Sequence, residues 1–137
     1  IPDLPHEESD MVREESHRAD ISMVFIIAPT SSNDRIRTID RLSTDFSYCV
    51  SVTGVTGARS ELGLNGSLDH FLARVKENTK KPFVVGFGIS NADQVRRVWQ
   101  FADGAVVGSA LLRVLEEAGG REELQKAGMF FKSLRPS

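Results

Sequence analysis

Residues 82–90 read PFVVGFGIS. Phe83, Val84 and Val85 open a short, wholly apolar strand that runs to Phe87 and stops at Gly88-Ile89-Ser90, where a helix begins. Gly86 and Gly88 remove side chains where the chain must bend. Ser90, with Asp93 three residues on, reads as a helix N-cap. Further on the pattern recurs in Gly104-Ala-Val-Val-Gly108-Ser109-Ala110, again an apolar strand that ends in Gly-Ser and enters a helix. Either turn alone is an ordinary strand-to-helix connection, where glycine and serine are common. Two in succession expose several unpaired backbone N–H groups at one edge of a parallel sheet, which favours a phosphate held at Gly88, Gly108 and Ser109.

The same alternation extends outward from this stretch. Residues 21–28 (ISMVFIIA) form a continuous apolar run of the kind covered on both faces. Ser32 or Asn33 caps the helix that follows, in which Ile36, Ile39 and Leu42 make one buried stripe. Residues 46–52 (FSYCVSV) are the next strand. They lead into a glycine-rich connection, residues 53–65, longer than most such loops and expected to be poorly ordered without a ligand. Ser67 is expected to cap a helix carrying Leu68, Phe71, Leu72 and Val75. Lys76, Lys80 and Lys81 near its C-terminal end suit the helix dipole and read as surface charges. After the central strand, a helix over residues 90–102 is expected to turn Val95, Val98 and Trp99 inward. A last helix over residues 122–134 is expected to pack back on the exterior through Leu124, Met129, Phe130 and Phe131. Before all of these, residues 6–18 are acidic and helical, with Met11 and Val12 as anchors. Asp3, between two prolines at a strand remnant, either caps that helix or serves a site.

Strand and helix alternate throughout, so the class is α/β with a parallel sheet. A full (β/α)8 TIM barrel takes roughly 250 residues. The 137 residues therefore read as a single domain, residues 1–137: the C-terminal half of a barrel, with about four βα units and a C-terminal helix. The opening residues, Ile1 to Pro5, look like the tail of a strand, so an N-terminal part is expected to be missing. The sequence carries no internal repeat beyond the βα period.

Composition narrows the function classes. The chain is 40% hydrophobic with net charge −2 and has no basic block, which argues against nucleic acid. Cys49 is the single cysteine, so no disulfide framework exists and a reducing cytoplasm is expected. No apolar run approaches the roughly 20 residues of a membrane span. His6, His17 and His70 show no metal-ligand spacing.

Asp3-Leu4-Pro5 with Glu7-Glu8, residues 51–59 (SVTGVTGAR), residues 86–90 (GFGIS) and residues 107–110 (VGSA) occur in the order and spacing of the tryptophan synthase alpha chain family, which the chain resembles over essentially its whole length. GVTGAR is the most discriminating piece. The resemblance implies cleavage of indole-3-glycerol phosphate to indole and glyceraldehyde 3-phosphate, a carbon–carbon lyase reaction without a cofactor. It also implies a beta-chain partner, using pyridoxal phosphate, in an alpha2-beta2 complex. It places Gly57, Gly88, Gly108 and Ser109 on the substrate phosphate, Tyr48, Thr56 and Phe87 in the pocket, and Asp3 near the site or the partner interface. Thr56 would also help to position a catalytic carboxylate. The general acid and base of the family, a Glu and an Asp from the first half of the barrel, have no counterpart here. No catalytic residue is therefore expected in this chain, and the three histidines do not replace them. Two other readings remain at this level: a non-catalytic half-barrel that binds phosphate or self-associates, and another sugar-phosphate barrel, against which GVTGAR argues.

Overall fold

Burial alternates along the second strand: Ser47 and Cys49 are buried, Tyr48 and Val50 only half so. Successive side chains of a strand point to opposite faces, so among the described residues one face of the sheet is fully covered and the other only in part. The structure, a computed structural model, describes residues 1, 4–50, 64–86 and 88–135. Its elements run α1 (Asp10–Arg18), β1 (Ile26–Ile27), α2 (Asn33–Leu42), β2 (Ser47–Val50), α3 (Leu64–Asn78), β3 (Phe83–Gly86), α4 (Ala92–Val98), β4 (Gly104–Ala105), α5 (Ser109–Ala118) and α6 (Glu123–Ser133). A short 3-10 turn, His6–Glu8, precedes α1, and another, Gly120–Glu122, precedes α6. The strands lie in the order β1-β2-β3-β4, all neighbours parallel.

Register decides which residues share a face. Ile26 stands opposite Tyr48, Tyr48 opposite Val84, and Val84 opposite Gly104. These four line the inner face. Ile27, Cys49 and Val85 occupy the alternate positions, and all three are fully buried. They meet Ile36 and Ile39 of α2, Phe71, Leu72 and Val75 of α3, and Val95 and Val98 of α4 in one core cluster. Each such aliphatic side chain contributes roughly 1.5 to 3 kcal/mol when fully buried. Burial also pushes the Cys49 thiol up to about 12, so it is a packed, neutral group rather than a nucleophile.

The starts of the strands are tied by charge-assisted hydrogen bonds. Asp40, buried near the end of α2, accepts from the backbone N–H of Lys80 (3.0 Å) and Lys81 (3.1 Å). Lys81 Nζ returns to the α2 C-terminus, donating to the carbonyls of Arg41 and Ser43. Asp103 accepts from the N–H of Phe83 at 3.0 Å and so binds the start of β3 to that of β4. On the helical side, Arg97 of α4 meets Asp69 of α3 with a two-pronged contact, Nε to Oδ1 at 2.8 Å and Nη2 to Oδ2 at 3.0 Å.

Several expectations need correction. The first strand is two residues long, because the N–H groups of Met23 and Phe25 bond to the hydroxyls of Thr44 and Ser43 instead of a strand. Met11 does not anchor α1. It is 75% exposed, and α1 buries none of its residues, since no strand lies beyond β1 among the described residues. Trp99 is 53% exposed. The helix ends at Val98, the chain tightens through Phe101 N–H to the Val98 carbonyl at 3.0 Å, and Ala102 enters the core in place of Trp99. Ser67 lies inside α3 rather than ahead of it, because the helix begins at Leu64. α6 touches the core through Phe130 and the following Leu134, while Leu124, Met129 and Phe131 are exposed. Ser32 is the cap expected of it: its Oγ accepts from Arg35 N–H at 3.2 Å.

Replacing Asp40 with Ala leaves two part-buried N–H groups without their carboxylate acceptor. The expected cost is about 2 to 3 kcal/mol, read from the urea midpoint of unfolding at constant slope. A loss below about 0.5 kcal/mol would show that the clamp does not hold the turn.

Candidate functional site

β3 ends at Gly86 and β4 at Ala105. The two strands are parallel neighbours, so the turns that follow them lie at the same end of the sheet. Gly88 has φ of 78°, a left-handed conformation that a side chain disfavours, and it is exposed. It turns the chain so that Ile89 enters the core and α4 can start. The cap of α4 is Asn91 and not Ser90: Asn91 Oδ1 accepts from Gln94 N–H at 3.0 Å. Ser90 instead donates its N–H to the Gln94 side-chain oxygen at 2.8 Å. The sequence reading placed the cap one residue early because Ser and Asn are both good caps and stand side by side.

Gly108 is the residue before α5 and makes no side-chain cap. Leu111 N–H reaches the Gly108 carbonyl at 2.9 Å. The N–H groups of Gly108, Ser109 and Ala110 have no partner among the described residues. The first turn of α5 carries no acid, so nothing of this helix's own neutralises the positive end of its dipole. A Cβ built on Gly108 would meet nothing within 4 Å. Unpaired donors, a helix N-terminus and open space together make an anion-accepting geometry. Gly88 and the pair Gly108 and Ser109 are thus brought to one end of adjacent strands.

On the inner face below these turns, Tyr48 leans across β3. A Cβ on Gly86 would stand 1.6 Å from the Tyr48 hydroxyl and 2.3 Å from its Cζ. Burial pushes the Tyr48 phenol up, so the group is neutral near neutral pH. This Tyr48–Gly86 packing escaped the sequence reading, because only the strand register brings the two together. So did the role of Arg74 on α3. Its guanidinium donates to the carbonyls of Ser31 (2.6 Å) and Pro29 (2.8 Å), holding the turn after β1.

Asp3, Thr56, Gly57 and Phe87 lie outside the described residues, as does most of the connection expected over residues 53–65; Leu64 and Asn65 already belong to α3. Among the described residues no group of three His, Cys, Asp or Glu is placed to hold a metal ion. A cavity of about 690 Å³ lies between α1 and residues 20–23. It is away from the glycine turns, and the guanidiniums in its wall already face carboxylates of their own helix, Arg13 with Asp10 and Arg18 with Glu14. No described helix is long and apolar enough to cross a membrane.

The sequence profile of the tryptophan synthase alpha chain family matches residues 1–134. The chain belongs to that family. A tryptophan synthase alpha chain from Chlorobium phaeovibrioides is 46% identical over 98% of this chain and 52% of the relative, and one from Chlorobaculum tepidum is equally similar over the same spans. The chain therefore spans about half the length of the curated relatives it matches. Among solved structures, the tryptophan synthase of Pyrococcus furiosus, described as an a2b2 complex, aligns at 34% identity and a TM-score of 0.83, covering 96% of this chain and 52% of that one. An alpha-subunit structure from the same organism aligns at 31% identity and a TM-score of 0.81. These alpha subunits are TIM barrels, and the parallel four-stranded sheet with its helices corresponds to about half of one.

The close approach of Tyr48 and Gly86 generates a double-mutant test. Gly86→Ala alone is expected to cost about 1 to 3 kcal/mol through overpacking. Tyr48→Leu removes the group it collides with. The double variant should then be less destabilised than the sum of the singles, with a coupling of roughly 0.5 kcal/mol or more in the thermal or urea cycle. Strict additivity would show that the two side chains do not share the space.

Proposed function

We propose that this chain is the phosphate-holding half of an indole-3-glycerol-phosphate lyase, the alpha component of a tryptophan synthase. The observation that carries the reading is the pair of Gly88 and Gly108-Ser109 turns at one end of adjacent parallel strands, in a chain of this family. The unpaired N–H groups of Gly108, Ser109 and Ala110, at the start of α5, would receive the phosphate oxygens. Gly88 allows the neighbouring backbone to approach. Gly57, Thr56 and Phe87 would complete the phosphate and indole contacts, with Tyr48 on the wall below and Asp3 near the site or the partner interface.

The reaction is a retro-aldol cleavage. A proton must reach the indole carbon that carries the glycerol chain, and a base must take the proton of the adjacent glycerol hydroxyl as the carbon–carbon bond breaks. The electron pair of that bond ends on the indole ring, and the hydroxyl becomes the aldehyde of glyceraldehyde 3-phosphate. Holding the phosphate supplies binding and orientation. It moves no proton. A positioned acid or base contributes roughly 10²- to 10⁴-fold each, and both would come from the other half of the barrel. Indole would then pass to a beta chain, whose pyridoxal phosphate is not part of this chain's chemistry.

Two outcomes test the reading. Phosphate or indole-3-glycerol phosphate is expected to bind the chain measurably by calorimetry. Gly88→Leu should weaken binding at least about tenfold, because the side chain fills the approach, and the circular dichroism spectrum should survive. Unchanged affinity would remove Gly88 from the site. Separately, the 137-residue chain alone should release no indole above the buffer rate. Adding a segment with the first four strands of a family member should restore turnover. Steady indole formation by the chain alone, abolished by Asp3→Asn, would show that the acid–base machinery lies in this half.

A further inference from the structure

The turn at Gly88 and the helix that follows it form one stiff body. Ser90 donates its N–H to the Gln94 side-chain oxygen at 2.8 Å, and Gln94 donates its own N–H to Asn91 Oδ1 at 3.0 Å. Val95 N–H reaches the Asn91 carbonyl at 3.2 Å. These contacts bind residues 90–95 to one another, so a shift of α4 carries the Gly88 turn with it. Ile89, Val95 and Val98 seat this body on the core. Apolar burial is non-directional, and a helix of seven residues held by it alone keeps freedom to roll.

Direction is added by Arg97. Its guanidinium meets the Asp69 carboxylate of α3 edge to edge, with Nε to Oδ1 at 2.8 Å and Nη2 to Oδ2 at 3.0 Å. A two-pronged contact of this kind fixes angle as well as distance. Asp69 and Arg97 each stand five residues past the start of their helix (64 to 69 and 92 to 97), roughly 8 Å along it. Both helices start at the ligand end of the sheet, so the contact lies close behind that end. α3 is in turn a fixed reference. Leu72 and Val75 bury it in the core, and Arg74 holds the Pro29 and Ser31 carbonyls in the turn after β1. The pair itself is partly exposed, 28% for Arg97 and 38% for Asp69. Ion pairs so placed add little stability; what this one supplies is geometry.

We propose that the Asp69–Arg97 pair is a positioning element of the phosphate site, setting where the Gly88 turn stands relative to Gly108 and Ser109. The inference rests on the phosphate reading of the glycine turns given above. Neither side chain is catalytic; each acts through α4. Gly88 and the N–H groups at the start of α5 must share one anion, so the gap between the two turns has to match the width of a phosphate. Without the fork, α4 rolls on its apolar seat and the gap is no longer held.

Charge and position make opposite predictions. Asp69→Asn removes a negative charge, so a pair acting only through its field would bind phosphate more tightly in that variant. A pair that positions the turn binds it more weakly. Arg97→Lys keeps the charge and loses the fork, and should weaken binding as well. The test is calorimetry of inorganic phosphate on the full chain, with the ¹⁵N amide resonances of Gly88, Gly108 and Ser109 recorded without ligand. Both variants are expected to raise the dissociation constant about fivefold or more and to shift the Gly88 resonance, while the thermal midpoint stays within about 3 °C. Asp69→Arg with Arg97→Asp rebuilds the pair in reverse and should bring affinity and resonance back toward the wild type. Arg96→Gln breaks the exposed pair with Asp93 on the same helix and should alter neither. Tighter or unchanged binding in Asp69→Asn, or a Gly88 resonance that stays in place in both variants, would overturn the proposal. A wild-type chain that binds no phosphate would defeat the phosphate reading of the turns instead. The Gly88 resonance then still decides the positioning: shifted in Asp69→Asn and Arg97→Lys but not in Arg96→Gln supports it, and unmoved in all three overturns it.

Discussion

The structure depends on one contact: the stripe of α2, α3 and α4 residues pressed onto Ile27, Cys49 and Val85. Parallel strands cannot pair by a tight hairpin, so each must be carried back to the start of the sheet by a crossover helix. The helix must then bury a face on the strands it joins. Ile36 and Ile39, Leu72 and Val75, and Val95 and Val98 do this in turn. Alternation along β2 and β3 then follows, because only one set of positions meets the helices. The half-buried Tyr48 and Val84 on the inner face are the other side of the same fact.

The buried polar groups serve that contact. Asp40, Ser43 and Ser47 sit under the helical layer, and each has a partner: backbone N–H groups for Asp40, Phe25 N–H and the Ser47 hydroxyl for Ser43. A buried carboxylate with two N–H donors costs far less than one without. Lys81 meanwhile satisfies carbonyls that the end of α2 leaves orphaned. The surface ion pairs, such as Arg96 with Asp93 or Arg37 with Asp34, span one helical turn in the open and contribute little.

Much of the fold was legible in the sequence. The α/β class followed from apolar runs separated by amphipathic segments, and the Ile36–Ile39 stripe and the Ser32 cap from local spacing. The glycine turns at Gly88 and Gly108 were legible for a related reason, since a strand that ends in glycine and enters a helix has few conformations. Features that depend on register or on helix ends were not. Tyr48 and Gly86 are brought together only by strand pairing. Trp99 kept the helical spacing of a core residue, yet α4 ended one residue before it. Met11 carried an anchor's chemistry, but no described strand lies beyond β1 for it to pack on.

The tight hydrogen bonds and the unpaired donors sit at opposite ends of the sheet. Asp40 and Asp103 fasten the strand starts, while the N–H groups of Gly108, Ser109 and Ala110 are left waiting at the strand ends. Among the described residues the hydrogen bonding is therefore graded along the strand direction, with side-chain clamps at the strand starts and open donors at the strand ends. A ligand bound there would join the two glycine turns across the gap between strands β3 and β4. Its binding energy would enter the fold away from the Asp40 and Asp103 clamps, so that occupancy fastens the second end of strands already fastened at the first.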